Sequence, residues 1–219
     1  MALLISASTN PPNEKDLLQY IKELANIDVD YIHCDVMDGN FVANKALNHK
    51  IVGKINKLTS KPLDVHLMVQ KPWRVVGKYL RNGADIVSVH YEAFDNSKLL
   101  KKTLEKIRKK GAFASLAINP NTEVSEIEGF LPYCDMVLVM SVEPGKSGQK
   151  FIPSTFNKLD ELMQSTARQG VNLVVEVDGG VAIDLAPELK THGTNIVVMG
   201  SHLYASSDRA KTAQSIHEA

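Results

Sequence analysis

Residues 171–180 read Val-Asn-Leu-Val-Val-Glu-Val-Asp-Gly-Gly, and this stretch indicates how the rest of the chain is arranged. A run rich in β-branched residues that stops at an acidic residue and two glycines is typical of a buried strand leading into a tight turn. Asp178 then lies at the carboxyl tip of the strand, and the glycines leave backbone N–H groups open to an anion. Two earlier stretches end in a similar way, at Ile32-His33-Cys34-Asp35 and Leu63-Asp64-Val65-His66. We predict that these three strand ends meet at one site.

Strand-like and helix-like segments alternate along the whole chain, with short connections and no linker or low-complexity segment. Besides the opening strand, we predict strands at 3–7, 29–35, 62–68, 84–90, 112–118, 136–140 and 195–199. We predict a turn at 10–13 and helices at 16–24, 48–58, 72–81, 97–110, 124–131, 154–169, 185–191 and 210–217. Eight strand–helix units in this length favour an α/β fold with a single domain over 1–219, a closed (β/α)8 TIM barrel. A doubly wound open sheet is the alternative, and it is weakened because no GxGxxG or GxxxxGKS/T follows the first strand.

Composition excludes several classes of function. The chain has 219 residues, 44% of them hydrophobic and 23% charged, as in an ordinary globular protein. The 25 basic residues equal the 25 acidic ones, so no overall field indicates nucleic acid. No apolar run approaches the length of a membrane span, and the apolar N-terminus is too short for a signal sequence. Two distant cysteines indicate no disulfide framework, so we expect a cytoplasmic protein.

The polar strand tips have the composition of a metal site. His33 and Asp35 are two residues apart and project to the same side of a strand, whereas Cys34 points to the other side. With His66 and Asp178 they form a set of two histidines and two aspartates. This set suits one divalent ion, namely Zn²⁺, Fe²⁺, Mn²⁺ or Co²⁺, with open positions for a substrate. No organic cofactor is expected.

Other residues near the strand ends allow two interpretations. Asp64 and Glu176 share the inward parity of His66 and Asp178 but lie one step deeper, so we interpret them as partners in the barrel interior. His90 ends another strand, and it either faces the pocket or is a satisfied buried histidine. Three methionines at strand ends are predicted either to form an apolar wall of the site or to be ordinary core residues: Met37, Met68 and Met140.

Glycine-rich turns follow the last three strands. They are the segment 142–149, Gly179-Gly180 and Gly200-Ser201. Barrels often bind phosphate through the loops after their last strands, where backbone N–H groups converge. Any one glycine pair is weak evidence, because turns need glycine in any case. Their succession over neighbouring loops predicts a phosphate site.

Over nearly its whole length the chain resembles the ribulose-phosphate 3-epimerase family. The stretches that carry the resemblance are HCDVMDGNFV at 33–42, LDVHLMV at 63–69, GAD at 83–85, NP at 119–120, DMVLVMSVEPG at 135–145, GQKFIP at 148–153, EVDGG at 176–180 and GS at 200–201. The resemblance implies a TIM barrel of the ribulose-phosphate-binding type. It implies interconversion of D-ribulose 5-phosphate and D-xylulose 5-phosphate in the pentose phosphate pathway. It also implies a homo-oligomer, either a dimer or a higher assembly. The expected small-molecule partner is a sugar phosphate.

The resemblance also implies roles for individual residues. Those matching His33, Asp35, His66 and Asp178 hold the metal, and Asp35 and Asp178 are the proton-transfer pair. Inversion next to a carbonyl requires a base on one face of the carbon and an acid on the other, which two carboxylates from different strands can supply. The expected substrate contacts are Ser6, Met37, His66, Met68, Met140, Gly145, Lys146, Ser147, Gly148, Gly179, Gly180, Gly200 and Ser201.

Three departures from the family pattern keep alternatives open. The first strand continues as Ile5-Ser6-Ala7-Ser8, so Ser8 competes with Ser6 for the substrate contact. The segment Ala-Asn-Lys-Ala at 43–46 replaces the usual Pro-Asn-Leu-Thr, and Gly-Lys-Ser-Gly at 145–148 replaces Gly-Phe-Gly-Gly. A related substrate such as D-allulose 6-phosphate is therefore an alternative. A non-catalytic sugar-phosphate-binding barrel is another, although the Asp35–Asp178 pair argues against it.

Overall fold

In the computed structural model, eight parallel strands close into a barrel. The structure describes residues 2–10 and 14–219. The barrel strands are β1 (Leu4–Ser8), β2 (Tyr31–Asp38), β4 (Leu63–Met68), β5 (Ala84–His90), β6 (Phe113–Ile118), β7 (Met136–Met140), β8 (Val174–Asp178) and β9 (Ile196–Met199). Each strand pairs with the next one along the barrel, and parallel pairing of β1 with both β9 and β2 closes the ring. The predicted closed barrel is confirmed, and the open-sheet alternative is wrong.

Helices surround the barrel in the order expected for repeated strand–helix units. They are α1 (Glu14–Leu24), α2 (His49–Ile55), α3 (Pro72–Leu80), α4 (Ser97–Lys109), α5 (Val124–Ile127), α6 (Thr155–Gln169), α7 (Ala186–Thr191), α8 (Ser201–Ala205) and α9 (Arg209–His217). Among the described residues, no helix combines the length and the apolar character needed to cross a membrane.

Three details differ from the sequence-based expectation. A two-residue strand, β3 (Lys45–Ala46), pairs antiparallel with the end of β2, and it is too short to produce a periodic pattern. The helix predicted at 124–131 is α-helical only to Ile127 and continues as a 3₁₀ turn, Glu128–Tyr133, that contains Pro132. Proline cannot donate the helical hydrogen bond, which explains the change. The short helix α8 was also not predicted.

The first residue and part of one predicted turn lie outside the described residues. The turn predicted at 10–13 includes residues 11–13, which lie outside the described residues, as does residue 1. The extent of a single domain over 1–219 accordingly stays a prediction.

The register of the strands decides which side chains point into the barrel. His33 pairs with Asp64, and Asp35 pairs with His66 one step nearer the carboxyl end. The outward side chains of these strands pack under the helices in one large apolar core. The inner floor at the amino end is apolar, with Ile86, Met136 and Ile196 packed together. Polar groups inside the barrel therefore collect toward its carboxyl end.

Candidate active site

Four side chains from three strand ends converge at the carboxyl end of the barrel. His33 and Asp35 come from β2, His66 from β4 and Asp178 from the last position of β8. Each contributes one ligand-type atom, and these four atoms lie within 4.8 Å of one another. His33 Nε2 is 3.4 Å from Asp35 Oδ1 and 3.9 Å from Asp178 Oδ2. The structure therefore brings together the four residues that were predicted as a metal set.

His33 is held from below by a buried carboxylate. Its Nδ1 lies 2.5 Å from Asp64 Oδ2, and the Ser6 hydroxyl donates to the same oxygen at 2.8 Å. Because Asp64 is best satisfied by an N–H donor, the proton of a neutral His33 lies on Nδ1 and the Nε2 lone pair faces Asp35 and Asp178. The inward-facing Asp64 thus supports His33, as its parity indicated.

His66 meets the same two aspartates through its other nitrogen. Its Nδ1 is 3.4 Å from Asp35 Oδ1 and 3.7 Å from Asp178 Oδ2, while its Nε2 lies 2.8 Å from His90 Nε2. His90 is fully buried, and its Nδ1 lies 3.1 Å from Glu92 Oε2. His90 is therefore a partnered buried histidine rather than a fifth member of the set.

The pKa values of the two aspartates, Asp35 and Asp178, are shifted in opposite directions. Burial by itself raises the pKa of Asp35, but His33 and His66 outweigh burial and hold that pKa well below its usual range. Burial raises the pKa of Asp178 to about 7, and the Asp35 carboxylate adds to the rise while His33 opposes it. Two carboxyl groups whose environments separate their pKa values are suited to act as a base and an acid.

The pKa values of the histidines and of Glu176, which lies deeper in the barrel, are also shifted. Burial lowers the pKa of His33, but the carboxylates of Asp64 and Asp35 outweigh burial and hold it well above its ordinary value. Burial lowers the pKa of both His66 and His90. Glu176 is fully buried, and burial together with the Asp64 carboxylate holds its pKa well above the usual range. Both effects favour the protonated form of Glu176.

The donor set fits a divalent transition ion. His33 Nε2 and His66 Nδ1 are both buried, and neither has a hydrogen-bond partner among the described residues. A buried polar atom without a partner is costly, and a ligand is one way to satisfy it. Two imidazole nitrogens with two carboxylate oxygens form a mixed set that suits Zn²⁺, Fe²⁺, Mn²⁺ or Co²⁺.

A cavity of about 290 Å³ opens directly above the two aspartates. Met37, Met68 and Met140 line its walls, which favours the wall interpretation over ordinary core packing. The phosphate-site residues predicted from the sequence all line it as well: Gly145, Lys146, Ser147, Gly148, Gly179, Gly180, Gly200 and Ser201. The predicted loops therefore do converge on the two aspartates.

The first strand contributes Ser8 rather than Ser6 to this cavity. Ser8 lines the cavity, and its hydroxyl donates to Asp35 Oδ2 at 2.7 Å. Ser6 lies one inward step deeper, fully buried and bonded to Asp64. The choice of Ser6 as a substrate contact is therefore not supported by its position. Strand parity allows both serines, and only the register of β1 against β2 separates them.

Sequence reasoning also missed residues that shape the loops. Gln149 Nε2 donates to the carbonyls of Glu143 and Lys146 at 2.6 and 2.8 Å, which closes the 142–149 loop on itself. Asn44 Nδ2 donates to the Gly145 carbonyl at 2.8 Å, so the two segments that depart from the family pattern touch each other. His202 lines the cavity beside Ser201. The motif at 148–153 contained Gln149, but nothing in the sequence indicated its partners.

Comparison with known proteins identifies the family of this chain. Residues 4–204 match the model of the ribulose-phosphate 3 epimerase family. The chain is 41% identical over 197 residues to ribulose-phosphate 3-epimerase of Bacillus subtilis, covering 90% of this chain and 89% of that protein. It is 39% identical over 214 residues to the chloroplastic ribulose-5-phosphate-3-epimerase of Arabidopsis thaliana, covering 98% and 76%.

A solved structure of another enzyme shares the fold. The crystal structure of a 3-hexulose-6-phosphate synthase superposes with a TM-score of 0.72 at 15% identity, covering 100% of this chain and 99% of that one. At this level of identity the likeness concerns the barrel alone.

Proposed function

The chain belongs to the ribulose-phosphate 3-epimerase family, an epimerase family acting on carbohydrates, and from that premise we propose a two-aspartate mechanism for it. The reaction is inversion at C3 of D-ribulose 5-phosphate to D-xylulose 5-phosphate through an enediolate. The observation that carries the proposal is the pair Asp35 and Asp178, which share one cavity and have pKa values shifted in opposite directions.

The pair divides the two proton transfers. Asp35 is ionised and accepts the C3 proton, and its Oδ2 is oriented by the Ser8 hydroxyl. Asp178, whose pKa burial raises to about 7, is about half protonated at neutral pH, and its protonated form delivers the proton to the opposite face of C3. The strands β2 and β8 that bear them are separated around the barrel by β1 and β9, so the two carboxyl groups reach the shared cavity from different sides. In the reverse reaction the two groups exchange roles.

His33, Asp35, His66 and Asp178 are the residues that would hold a divalent ion. When bound, such an ion supplies positive charge that stabilises the enediolate. Asp64 holds one proton of His33 on Nδ1, so Nε2 is the nitrogen that would lose its proton on ion binding and then donate its lone pair. Which of Zn²⁺, Fe²⁺, Mn²⁺ or Co²⁺ the protein uses depends in part on availability.

The other end of the cavity binds the phosphate in this proposal. The glycine loops at 145–148, 179–180 and 200–201 supply backbone N–H groups, and Lys146 adds an exposed positive charge. The thioethers of Met37, Met68 and Met140 exclude water from the carbanion side of the substrate. We further expect action in the pentose phosphate pathway, a cytoplasmic location and assembly as a dimer or higher homo-oligomer.

The proposal is tested with purified protein loaded separately with each of the four ions. We expect conversion of D-ribulose 5-phosphate to D-xylulose 5-phosphate, with solvent deuterium entering at C3. Protein that neither converts the substrate nor exchanges the C3 hydrogen with any ion would contradict the proposal. D-Allulose 6-phosphate is assayed in parallel, because the altered segments 43–46 and 145–148 contact each other at the cavity; a higher kcat/KM on this hexulose would reassign the substrate.

A further inference from the structure

A line of hydrogen bonds runs from His66 away from the cavity to the loop after β6. His66 Nε2 lies 2.8 Å from His90 Nε2, and His90 Nδ1 lies 3.1 Å from Glu92 Oε2. The other oxygen of Glu92 accepts from the backbone N–H of Asn119 at 2.8 Å and from the Thr122 hydroxyl. The proposed mechanism does not use His90 or Glu92, so their role needs its own explanation.

The two histidine rings meet edge to edge. Their ring centroids are 4.9 Å apart and their planes differ by 25°, while the two Nε2 atoms approach to 2.8 Å. Rings stacked face to face do not bring two nitrogens this close at such a centroid distance. The contact is therefore an N–H···N hydrogen bond near the plane of both rings, in which one Nε2 donates and the other accepts.

Glu92 decides the direction of that bond. Oε1 receives two donors, so the carboxylate acts as an acceptor, and His90 Nδ1 beside Oε2 has to carry a proton. A neutral His90 then has its lone pair on Nε2 and accepts from His66 Nε2–H. With its proton on Nε2, His66 has a bare lone pair on Nδ1, the buried atom that faces Asp35 and Asp178 without a hydrogen-bond partner.

The far end of the line is anchored to the helical layer. Lys158 on α6 donates from Nζ to the carbonyls of Asn119, Pro120 and Thr122 at 2.9, 2.7 and 2.6 Å. Three bonds from one ammonium group hold the loop that presents the Asn119 N–H and the Thr122 hydroxyl to Glu92. Both oxygens of the Glu92 carboxylate thus have hydrogen-bond partners. The loop that fixes Glu92 is itself held by α6, so Glu92 is a fixed end of the hydrogen-bonded line.

We propose that Glu92 is a positioning residue that acts through His90 to hold His66 in the tautomer protonated at Nε2, with the Nδ1 lone pair directed at the two aspartates. Asp64 fixes the orientation of His33 by direct contact with its Nδ1. Each histidine of the set is therefore oriented by a carboxylate, His33 by Asp64 and His66 by Glu92 through His90. The value of this tautomer for metal binding rests on the proposed function, whereas the tautomer itself does not.

The first test uses wild-type, metal-free protein labelled with ¹⁵N at histidine. Long-range ¹H–¹⁵N spectra distinguish the protonated nitrogen of each ring. We expect His66 protonated at Nε2 and His90 protonated at Nδ1. A His66 protonated at Nδ1, or a His90 protonated at both nitrogens, would overturn the proposal without any variant being made.

The second test is Glu92→Gln, which replaces the acceptor beside His90 Nδ1 by an amide donor. His90 then accepts at Nδ1 and donates from Nε2, which forces His66 into the Nδ1-protonated tautomer. We expect that switch in the spectra and an affinity for Co²⁺ alone that is about 10- to 100-fold weaker, as for other supports of metal ligands. Glu128→Gln is the matched control, because Glu128 also bonds a hydroxyl and a cation but lies on the surface away from the cavity. The control should change neither the tautomers nor the Co²⁺ affinity.

Substitutions of His90 separate positioning from packing. His90→Gln offers an amide oxygen to His66 Nε2–H, so it should retain the His66 tautomer and most of the Co²⁺ affinity, whereas His90→Leu should lose both. An unchanged His66 tautomer in Glu92→Gln would overturn the proposal that Glu92 acts on His66 through His90. The tautomer switch in Glu92→Gln and the Co²⁺ affinity of the wild type are measured separately. If the tautomer switches but the wild type binds no Co²⁺, the positioning role of Glu92 is supported and the proposed metal site is overturned. The failure of one proposal is therefore distinguishable from the failure of the other.

Discussion

The two ends of the cavity are built from different parts of the fold. At the proposed metal end, His33, Asp35, His66 and Asp178 project from strands, and all but Asp178 are fully or almost fully buried. At the proposed phosphate end, the lining groups lie on exposed or half-buried loops and consist largely of glycine backbone. The first end is held by side-chain hydrogen bonds inside a closed barrel, and the second by the conformations of turns. Substitutions at the metal end should therefore change the chemistry, and those at the phosphate end should change binding.

The largest effect is expected for Asp178→Asn. The amide cannot deliver the proton, so kcat at saturating metal should fall about 10²- to 10⁴-fold, the usual contribution of a positioned acid or base. Because Asp35 remains, hydrogen exchange at C3 should persist for one of the two epimers and be lost for the other. Asp184→Asn, on an exposed residue just after the same strand, is the control. Unchanged turnover in Asp178→Asn would exclude the two-carboxylate mechanism.

Asp178 should also make the stability of the metal-free protein depend on pH. Its pKa is about 7 in the folded protein against an ordinary 3.8, so between these values the folded state binds the additional proton. A raised folded-state pKa contributes stability that is complete below about pH 4 and is lost as the pH rises through 7. With about 1.4 kcal/mol per pKa unit, the free energy of unfolding of wild type minus that of Asp178→Asn should fall by a few kcal/mol over this range.

Urea unfolding of both proteins in the presence of a chelator measures this difference. Added Zn²⁺ should reverse the trend, because ligands bind the ion in their deprotonated forms. A difference that is constant from pH 4 to pH 8 would contradict the raised pKa of Asp178.

At the phosphate end, Gly180→Ala should have an intermediate effect. Gly180 has φ of +63°, and a Cβ there would lie 2.7 Å from the Gln149 carbonyl oxygen and would also collide with the Phe151 backbone nitrogen. The 145–151 loop has to move, so KM for the sugar phosphate should rise about tenfold or more while kcat changes less, in line with about 1–3 kcal/mol for overpacking. Gly148→Ala is matched, since its φ is +76° but a Cβ there meets nothing within 4 Å. Equal KM values for the two variants would refute the steric explanation.

The smallest effect is expected for Lys146→Met. Lys146 is exposed, and contacts of exposed charges contribute up to about 1 kcal/mol. KM should therefore rise about two- to fivefold at low salt, with kcat unchanged, and the difference from wild type should shrink as salt screens the charge. Lys150→Met, an exposed lysine in the same segment that does not line the cavity, should leave KM unchanged. A salt-independent effect would indicate a role other than attraction of the phosphate.

The sequence predicted the barrel and most of its cavity because both follow from simple periodicities. Alternation of strands and helices predicted all eight barrel strands to within a few residues, and two-residue spacing placed His33 and Asp35 on the same face. Prediction failed where local pattern is short or absent. The strand β3 has two residues, and the helix that begins at Val124 is shortened by a 3₁₀ turn with Pro132. The depth of Ser6 and Ser8 in the barrel depends on the register of β1 against β2. The alternation of side chains along a strand does not reveal that register.

By itself, the sequence determined the fold class, the residues that face the barrel mouth and the glycine turns that surround it, since these depend on local periodicity and backbone sterics. Only the tertiary structure decided how these groups act on one another. Asp178 has a pKa of about 7 because the closed barrel buries it beside Asp35, and this follows from strands far apart in the chain. The relay from Glu92 through His90 to His66 likewise depends on the Asn119–Thr122 loop and on Lys158 of α6. Electrostatic and hydrogen-bonding partners are set by distances in space, and only the closed barrel brings these groups within reach.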